Sequence, residues 1–228
     1  MKNRILLLFT LLIVGVLAAG CGLMQAPEEA SAPIEAIPVA DSAEGTAAGD
    51  SATTFTISPE GSQVRFELDE DLRGNRITVV GTTDQVAGQI VADLSNLASA
   101  QAGIIQINAR TLATDNDFRN RALSNEILDT GDYEFITFTP TAVNGLPASV
   151  SAGDSVEFTI DGDLTIRDTT APVTFTVIAT AVSDTQLQGT ASATITRTAF
   201  GLTIPSVPSV ANVEEEVELY IDFTANAS

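Results

Sequence analysis

Apolar and polar residues alternate in short runs from residue 54 to the end of the sequence. In QVRFELDE, for example, Val64, Phe66 and Leu68 share one parity, and charged residues occupy the other. Because successive residues of a strand point to opposite faces of a sheet, this period of two predicts β-strands. Many short strands with Gly, Asn, Asp and Pro between them indicate an antiparallel barrel or sandwich. The predicted strand segments are, in chain order, TFTIS, QVRFELDE, RITVVG, QVAGQIVADL, GIIQINARTL, YEFITFTPTAV, SVEFTIDGDLTI, VTFTVIATAV, LQGTASATITR and EVELYIDFTA.

Residues 162–177, GDLTIRDTTAPVTFTV, predict a β-hairpin. Alternation holds at Leu164 and Ile166, breaks after Arg167 and resumes at position 173. Pro172 has no N–H to donate to a central ladder. We therefore expect it in the connection or as the first residue of the second strand.

Residues 115–128, DNDFRNRALSNEIL, interrupt the period of two. Phe118 and Ala122 lie at helical spacing behind two candidate N-cap residues, Asp115 and Asn116. The segment predicts a short helix inserted between strands.

The first 20 residues predict a signal peptide for secretion across the cytoplasmic membrane. Lys2 and Arg4 precede an apolar run to about Ala19, which is shorter than the roughly 20 residues of a membrane-spanning helix. The following LAAGC resembles the processing box of bacterial lipoproteins, whose cysteine receives a diacylglyceryl group and becomes the first residue. This resemblance implies lipidation of Cys21 and an anchor at the cell envelope, on the periplasmic or outer face. The alternative is an ordinary cleaved signal that leaves a free thiol.

Residues 22–53 are rich in Ala, Pro, Glu, Ser and Gly and show no apolar period. Such a composition buries too little apolar surface to offset the entropy lost on ordering. We therefore expect residues 21–53 to form a lipidated cysteine followed by a disordered tether. The folded domain is expected over residues 54–228.

Charge and residue usage exclude several classes of function. The sequence holds 30 acidic and 10 basic residues, a net charge of −20, which argues against nucleic acid and against electrostatic docking on anionic lipid headgroups. There is no histidine and one cysteine, so zinc sites of His or Cys and His-based catalytic triads are excluded. Asp161 and Asp163 have the parity opposite to Leu164, so we expect them to face solvent rather than form a glycosidase pair. We predict no catalytic residue, no metal and no cofactor.

The hairpin GDLTIRDTTAPVTFTV is similar to the signature hairpin of the YceI-like family, bacterial lipid- and polyisoprenoid-binding proteins with a lipocalin-like barrel. The resemblance extends, in the family's order, over roughly residues 54–226. It implies an all-β fold, an antiparallel lipocalin-like β-barrel of about eight strands with a short inserted helix. The other similar segments are SQVRFEL, VAGQIVADL, TDNDFRNRAL, YEFITF, ITRTAFGL and VEEEVELYIDFTA.

The sequence keeps two of the family's arginines, Arg119 and Arg197, and departs from the family pattern elsewhere. Ala122 replaces a histidine, and Tyr133 is followed by Glu134 instead of proline. Arg119 is a candidate for binding an anionic headgroup at the barrel mouth. The alternative is a structural arginine bonded to a nearby carboxylate.

The candidate ligand-binding residues combine aromatic, aliphatic and small side chains expected inside the barrel with one arginine. For each phenylalanine, simple core packing is the alternative. Phe135 and Phe138 have opposite parity, and we expect Phe138 to point inward. Substitution of Ala191 or Ala193 by phenylalanine is expected to block the channel. The candidates are Phe66, Phe118, Arg119, Leu123, Phe138, Phe158, Leu164, Phe175, Ala191, Ala193 and Phe200.

The function implied is extracytoplasmic binding, sequestration or transport of an apolar chain lipid, a polyisoprenoid, quinone or fatty acyl chain, inside the barrel. The expected partners are this lipid, most of all an isoprenoid, and the membrane through Cys21. The alternative is a non-enzymatic envelope scaffold whose filled barrel presents an acidic surface to a protein partner. A continuous apolar cavity distinguishes the first function from the second.

Overall fold

Eight antiparallel strands close into a barrel in the computed structural model, which describes residues 26–39 and 51–228. The all-β fold predicted from the sequence is confirmed. The strands are β1 (Thr53–Ile57), β2 (Gln63–Leu72), β3 (Asn75–Thr83), β4 (Val86–Asp93), β5 (Asn96–Ala102), β6 (Ile105–Asn108), β7 (Phe135–Asn144), β8 (Ser155–Ile166), β9 (Thr169–Ser183), β10 (Gln186–Thr196), β11 (Val210–Ala211) and β12 (Glu216–Ala227). Within the described residues, the helical elements are α1 (Asp117–Ala122), a π turn (Leu123–Ile127) and two 3-10 turns (Ala109–Thr111 and Arg197–Phe200).

The barrel ring runs in the order β1, β4, β6, β7, β8, β9, β10 and β12, and β12 returns to β1. One edge of β12 is divided between two strands. Its residues 218–222 pair with β2, and its residues 225–227 pair with β1. The β2–β3 hairpin therefore extends the wall beyond the ring, and the pair Thr82–Ala113 joins β3 to the chain that follows β6.

The connections divide the barrel into two ends. One end, which we call the helix end, carries the β2–β3 turn, the β6–β7 connection with α1, the β8–β9 turn and the β10–β12 connection. The other, which we call the hairpin end, carries the β7–β8 and β9–β10 connections and the last residues of β12. Antiparallel neighbours place alternate connections at opposite ends.

Inward residues follow the predicted alternation. Phe138 is buried and meets Phe175 edge to face at 4.9 Å between ring centroids, whereas Phe135 is 37% exposed. The predicted inward orientation of Phe138 is thus confirmed. Asp163 is exposed and Asp161 hydrogen-bonds Thr174 on the outer face, as their parity predicts.

The predicted hairpin is formed by β8 and β9, joined by Arg167 and Asp168. Arg167 has φ 58°, the left-handed conformation that a tight two-residue turn requires. The expectation for Pro172 is wrong, because it lies within β9 opposite Asp163. The pairing of β9 with β10 begins only at Thr176, so the missing N–H of Pro172 breaks no bond to β10.

The predicted helix is confirmed as α1 and its π turn. The side chain of Asn116 caps it by accepting hydrogen bonds from the backbone N–H groups of Phe118 and Arg119. The other candidate cap, Asp115, instead forms an ion pair with Arg119 at 2.7 Å. The helix thus begins where the sequence predicts, one residue after its cap.

Residues 26–39, which we call the N-terminal strap, lie against the barrel. Glu28 pairs with Arg110 at 2.8 Å, and the N–H of Ser31 donates to the carboxylate of Glu134 at 2.8 Å. Ile34 is buried, being only 8% exposed. These contacts correct the prediction of a disordered tether for this part of residues 21–53. Cys21, the predicted signal peptide and residues 40–50 lie outside the described residues.

Polar contacts hold the strap at both its ends. Near its start, Arg110 binds Glu28 and also donates to the carbonyl of Glu29 at 3.3 Å. At its end, the N–H of Val39 donates to the side-chain oxygen of Gln89 at 3.0 Å. Because its partners lie on distant segments of the chain, the strap is ordered by tertiary contacts and not by its own composition.

Acid is expected to weaken the start of the strap through Glu134. Burial disfavours the charged carboxylate, but hydrogen bonds from Ser31 and Asn108 and the charge of Arg110 outweigh it and hold the pKa of Glu134 below its ordinary 4.5. A lowered folded-state pKa adds stability above pH 4.5, which is lost as the pH falls through the folded value. In an NMR titration, we expect the Ser31 amide signal to shift on acidification with a midpoint below pH 4.5. The Glu134→Gln variant should lack this titration, and a wild-type midpoint above 4.5 would contradict the interpretation.

Candidate binding cavity

A cavity of about 950 Å³ occupies the half of the barrel next to the helix end. Its walls are inward residues of β2, β3, β7 and β12, for example Leu68, Ile77, Ile136 and Leu219. Ligand sites typically have volumes of roughly 300–1,000 Å³ and mostly apolar walls. The barrel interior is therefore not filled by its own side chains over this half.

The cavity opens at the helix end. Four of its lining residues are exposed, Arg73 and Asn75 at the β2–β3 turn and Asn116 and Phe118 at the start of α1. The segment that precedes β11 contributes further apolar lining, with Ile204, Pro205 and Val207 among its members. The mouth thus lies between a turn, a helix and a loop.

Packed side chains close the barrel toward the hairpin end. Phe55, Val86 and Val177 are almost completely buried there, and Phe223 and Ala225 pack in the same core cluster. Gly189 lies directly opposite Phe223, and its lack of a Cβ leaves space for the Phe223 ring, which a Cβ would approach to 2.8 Å. This half of the barrel forms the floor of the cavity.

The cavity wall contains one buried ion pair. Glu70 continues the inward parity of Val64, Phe66 and Leu68 along β2 and is 6% exposed. Its carboxylate binds the guanidinium of Arg119 at 3.0 Å. Because low-dielectric surroundings penalise an unpaired charge, Arg119 is what makes a carboxylate tolerable in this wall.

A second lining arginine, Arg197, fixes the loop that leads into β12. Its Nε donates to the carbonyl of Glu214 at 2.7 Å, and its guanidinium pairs with Glu215 at 3.2 Å. Hydrogen bonds from the side chain and the backbone N–H of Thr198, aided by the charge of Arg197 and opposed by desolvation, lower the pKa of Glu215. These bonds hold the connection between β10 and β12 against the barrel.

Comparison with family models decides the family. The model of the YceI-like domain matches residues 55–225. The chain belongs to the YceI-like family. Comparison with curated protein sequences gives no match.

Three solved structures share the fold at low sequence identity. A polyisoprenoid binding domain from Saccharophagus degradans, implicated in plant cell wall breakdown, has a TM-score of 0.63 at 14% identity, covering 77% of this chain and 99% of its own. Burkholderia cenocepacia BcnA has a TM-score of 0.59 at 19% identity, covering 75% and 99%. The Campylobacter jejuni YceI protein has a TM-score of 0.52 at 17% identity, covering 65% and 84%. At these identities the similarity establishes the fold.

Seven of the eleven predicted binding residues line the cavity of this YceI-like barrel. Their contact with a ligand stays a prediction. Arg119 also has the structural role that was its alternative, since it binds two carboxylates, those of Glu70 and Asp115. The seven are Phe66, Phe118, Arg119, Leu123, Phe138, Leu164 and Phe175.

The other four predicted residues lie outside the cavity lining. Phe158 pairs with Val177 in the packed half of the barrel. Phe200 is buried in the 3-10 turn after β10. Ala191 and Ala193 face inward, opposite the lining residues of β12, but their short side chains do not reach the cavity surface. Phenylalanine at these two alanines is therefore not the sharpest way to block the cavity.

The sequence analysis missed two parts of the cavity. Glu70 was visible as an acidic residue in phase with Val64, Phe66 and Leu68, and its parity was the signal that could have found it. Residues 202–213 have no strand period, so nothing in their pattern placed them over the cavity. Within residues 26–39 and 51–228, no group of three His, Cys, Asp or Glu side chains could hold a metal ion. In the same residues no helix is long and apolar enough to cross a membrane.

A methyl group at Gly81 is expected to push the Phe66 ring out of its place in the cavity wall. The two residues are direct cross-strand partners, and a Cβ at Gly81 would lie 2.2 Å from the ring. Forced repacking of this kind typically costs about 1–3 kcal/mol, so we expect Gly81→Ala to destabilise the fold by that amount in urea unfolding. The double variant Gly81→Ala, Phe66→Leu should recover much of the loss. A Gly81→Ala protein as stable as wild type would show that the ring moves freely.

Proposed function

We propose that this YceI-like protein binds the apolar chain of a lipid in its barrel cavity. The observation that carries the proposal is the cavity of about 950 Å³, apolar along its walls and open at the helix end. A chain entering it loses water contact along its length, at roughly 25 cal/mol per Å² of apolar area buried. The polyisoprenoid-binding neighbour with the same fold supports an isoprenoid as the first ligand class to test, before quinones and fatty acyl chains.

The proposed role is binding and carriage, without catalysis. Glu70, the buried carboxylate of the cavity wall, is neutralised by Arg119. A carboxylate engaged in this way has a structural role, because it completes an ion pair in an otherwise apolar wall. The scaffold alternative requires an interior filled by side chains, and the cavity favours ligand binding over it.

The proposed site of action is the cell envelope. The basic start, apolar run and LAAGC sequence support export and lipidation of Cys21. The diacylglyceryl group, with its two acyl chains, would keep the barrel at a membrane that contains its apolar ligand. The intact mass of the protein purified from bacterial membranes tests this part, because lipidation adds a diacylglyceryl group that the Cys21→Ala variant cannot carry.

Mass spectrometry of the co-purifying lipid tests the function. The full chain is expressed in bacteria, purified gently and extracted with organic solvent. We expect a stoichiometric isoprenoid, quinone or acyl lipid in the extract, absent from a control barrel protein purified in parallel. An empty extract, together with no thermal stabilisation on adding geranylgeraniol, ubiquinone or palmitate, would overturn the proposal.

A further inference from the structure

We propose that the helix end is a docking face that seats the cavity mouth on a phospholipid bilayer. The inference deepens the proposed function and rests on its anchor at Cys21. It is carried by the direction of the N-terminal strap and by the side chains that surround the mouth.

The strap fixes the start of the described chain at the helix end. Arg110 follows β6 at this end, and its guanidinium binds Glu28 at 2.8 Å and the carbonyl of Glu29 at 3.3 Å. Arg110 is itself held in place, since its Nε donates to the carbonyl of Thr130 at 2.8 Å. Ile34, buried further along, adds apolar packing.

The distance from the anchor to this attachment is short. Seven residue steps separate Cys21 from Glu28, and a fully extended chain spans at most about 3.3–3.6 Å per residue, or about 25 Å in all. A lipid on Cys21 therefore keeps the helix end within about 25 Å of the bilayer. With the hairpin end turned to the bilayer, the helix end would lie the length of the barrel strands away, beyond the reach of this tether, since β9 alone has 15 residues. The anchor thus favours one orientation over the other.

The rim of the mouth has the side chains of a membrane-contacting surface. Phe118 is 75% exposed, and the guanidinium of Arg121 lies 5.8 Å from the centre of its ring. Aromatic rings insert at the headgroup level of a bilayer, and guanidinium groups bind lipid phosphates. Arg73, exposed at the β2–β3 turn, and Arg121 of α1 form no ion pair with any residue of the described ranges 26–39 and 51–228.

Net charge does not drive this contact. The chain carries −20, and most arginines of the helix end already bind carboxylates, as Arg110 and Arg119 do. The short anchor raises the local concentration of the helix end at the bilayer. Phe118, Arg73 and Arg121 then make the contact with the lipids. Docking in this orientation lets an apolar chain pass between bilayer and cavity without exposing its methylene groups to water, which costs about 0.8 kcal/mol for each.

Single-tryptophan fluorescence tests the orientation, because the sequence contains no tryptophan. Phe118→Trp places the probe at the mouth, and Val182→Trp, at an exposed position near the hairpin end, is the matched control. The full chain is reconstituted through Cys21 into vesicles of phosphatidylethanolamine and phosphatidylglycerol at a ratio of about 3:1. If the intact mass shows a free thiol at Cys21, that thiol is coupled to a maleimide-bearing lipid of the same vesicles.

We expect nitroxide-labelled lipids to quench the Phe118→Trp probe at least twofold more than the Val182→Trp probe. The Ile34→Asp substitution, which disrupts the strap, should make the quenching of the two probes equal when it is added to each variant. Equal quenching of both probes in the wild-type strap, or quenching of neither, would overturn the docking face. The result is independent of the lipid extract, so an oriented protein with an empty cavity refutes the proposed function alone, and a loaded protein without orientation refutes the docking face alone.

Discussion

A Val79→Trp substitution should weaken the binding of an apolar chain by about fiftyfold while the barrel stays folded. Val79 is buried in β3 and lines the cavity. The indole would occupy space in the cavity and displace about three methylene-sized groups of the ligand. At about 0.8 kcal/mol for each buried methylene, the loss is about 2.4 kcal/mol, which corresponds to roughly fiftyfold in affinity.

The next residue supplies the matched control. Val80 lies on the opposite face of the same strand and is 40% exposed, so Val80→Trp adds the same side chain outside the barrel. Geranylgeraniol is a suitable probe, titrated against each variant in a displacement assay with a fluorescent apolar dye. Thermal unfolding of each variant shows whether it remains folded.

The outcomes separate a ligand cavity from an unused void. Weaker binding by Val79→Trp with unchanged binding by Val80→Trp supports a ligand in the cavity. Equal binding by both variants and wild type, with both variants folded, would place the ligand elsewhere. Because an overpacked wall can also cost stability, binding is compared at a temperature where all three proteins are native.

Strand period and parity are local properties, and the sequence predicted them well. The bounds of β2, β8 and β12 are close to those that their alternation predicted, because one face of each strand is buried and the other is exposed to solvent. The same reasoning separated Phe138 from Phe135. The family resemblance then supplied the closed barrel that periodicity alone left open between barrel and sandwich.

The alternation of apolar and polar residues does not show how far along the barrel an inward residue lies. Phe158 and Leu164 are both inward residues of β8, yet only Leu164 reaches the cavity. Parity gives the face of a residue, whereas the position of the floor depends on which side chains of several strands meet at one level. Parity alone assigned the small residues Ala191 and Ala193 of β10 to the channel. Neither residue is part of the cavity lining.

Long-range contacts account for the other differences. β5 (NLASAQA) has a single large apolar residue, Leu97, and forms a strand through its pairing with β4. The strap has the composition of a disordered segment, but Arg110, Glu134 and Gln89, far away in sequence, hold it to the barrel together with the burial of Ile34. Glu134 stands where the family pattern has proline, and its carboxylate receives the strap.

Arg119→Leu is expected to destabilise the barrel by about 2–3 kcal/mol. The substitution leaves the carboxylate of Glu70 in an apolar wall without its partner, and breaking a buried pair in this way costs about 3–5 kcal/mol when both groups are fully buried. Arg119 keeps 19% of its side chain exposed, which places the expected value at the lower end. Its second partner, Asp115, is 90% exposed and adds little. For a domain of this size the melting temperature should fall by roughly 4–12 °C.

Two further variants isolate the pair. Glu70→Leu combined with Arg119→Leu removes both charges and should recover most of the stability, because a hydrophobic pair can replace a buried ion pair at little cost. Arg121→Leu removes the other arginine of α1, which has no carboxylate partner within the described residues, and should change stability by less than about 0.5 kcal/mol. Urea unfolding of these proteins, together with the single Glu70→Leu variant, gives the coupling energy between Glu70 and Arg119.

Binding measurements on the same variants decide between the two roles of Arg119. If the arginine serves only to neutralise Glu70, the double variant binds geranylgeraniol and geranylgeranyl phosphate with the same preference as wild type. If its guanidinium also contacts an anionic headgroup, every variant that lacks Arg119 loses affinity for the phosphate and keeps its affinity for the alcohol, since burial of the chain is unchanged. Loss of phosphate binding without any loss of stability would contradict the buried pair and make Arg119 a ligand-binding residue alone.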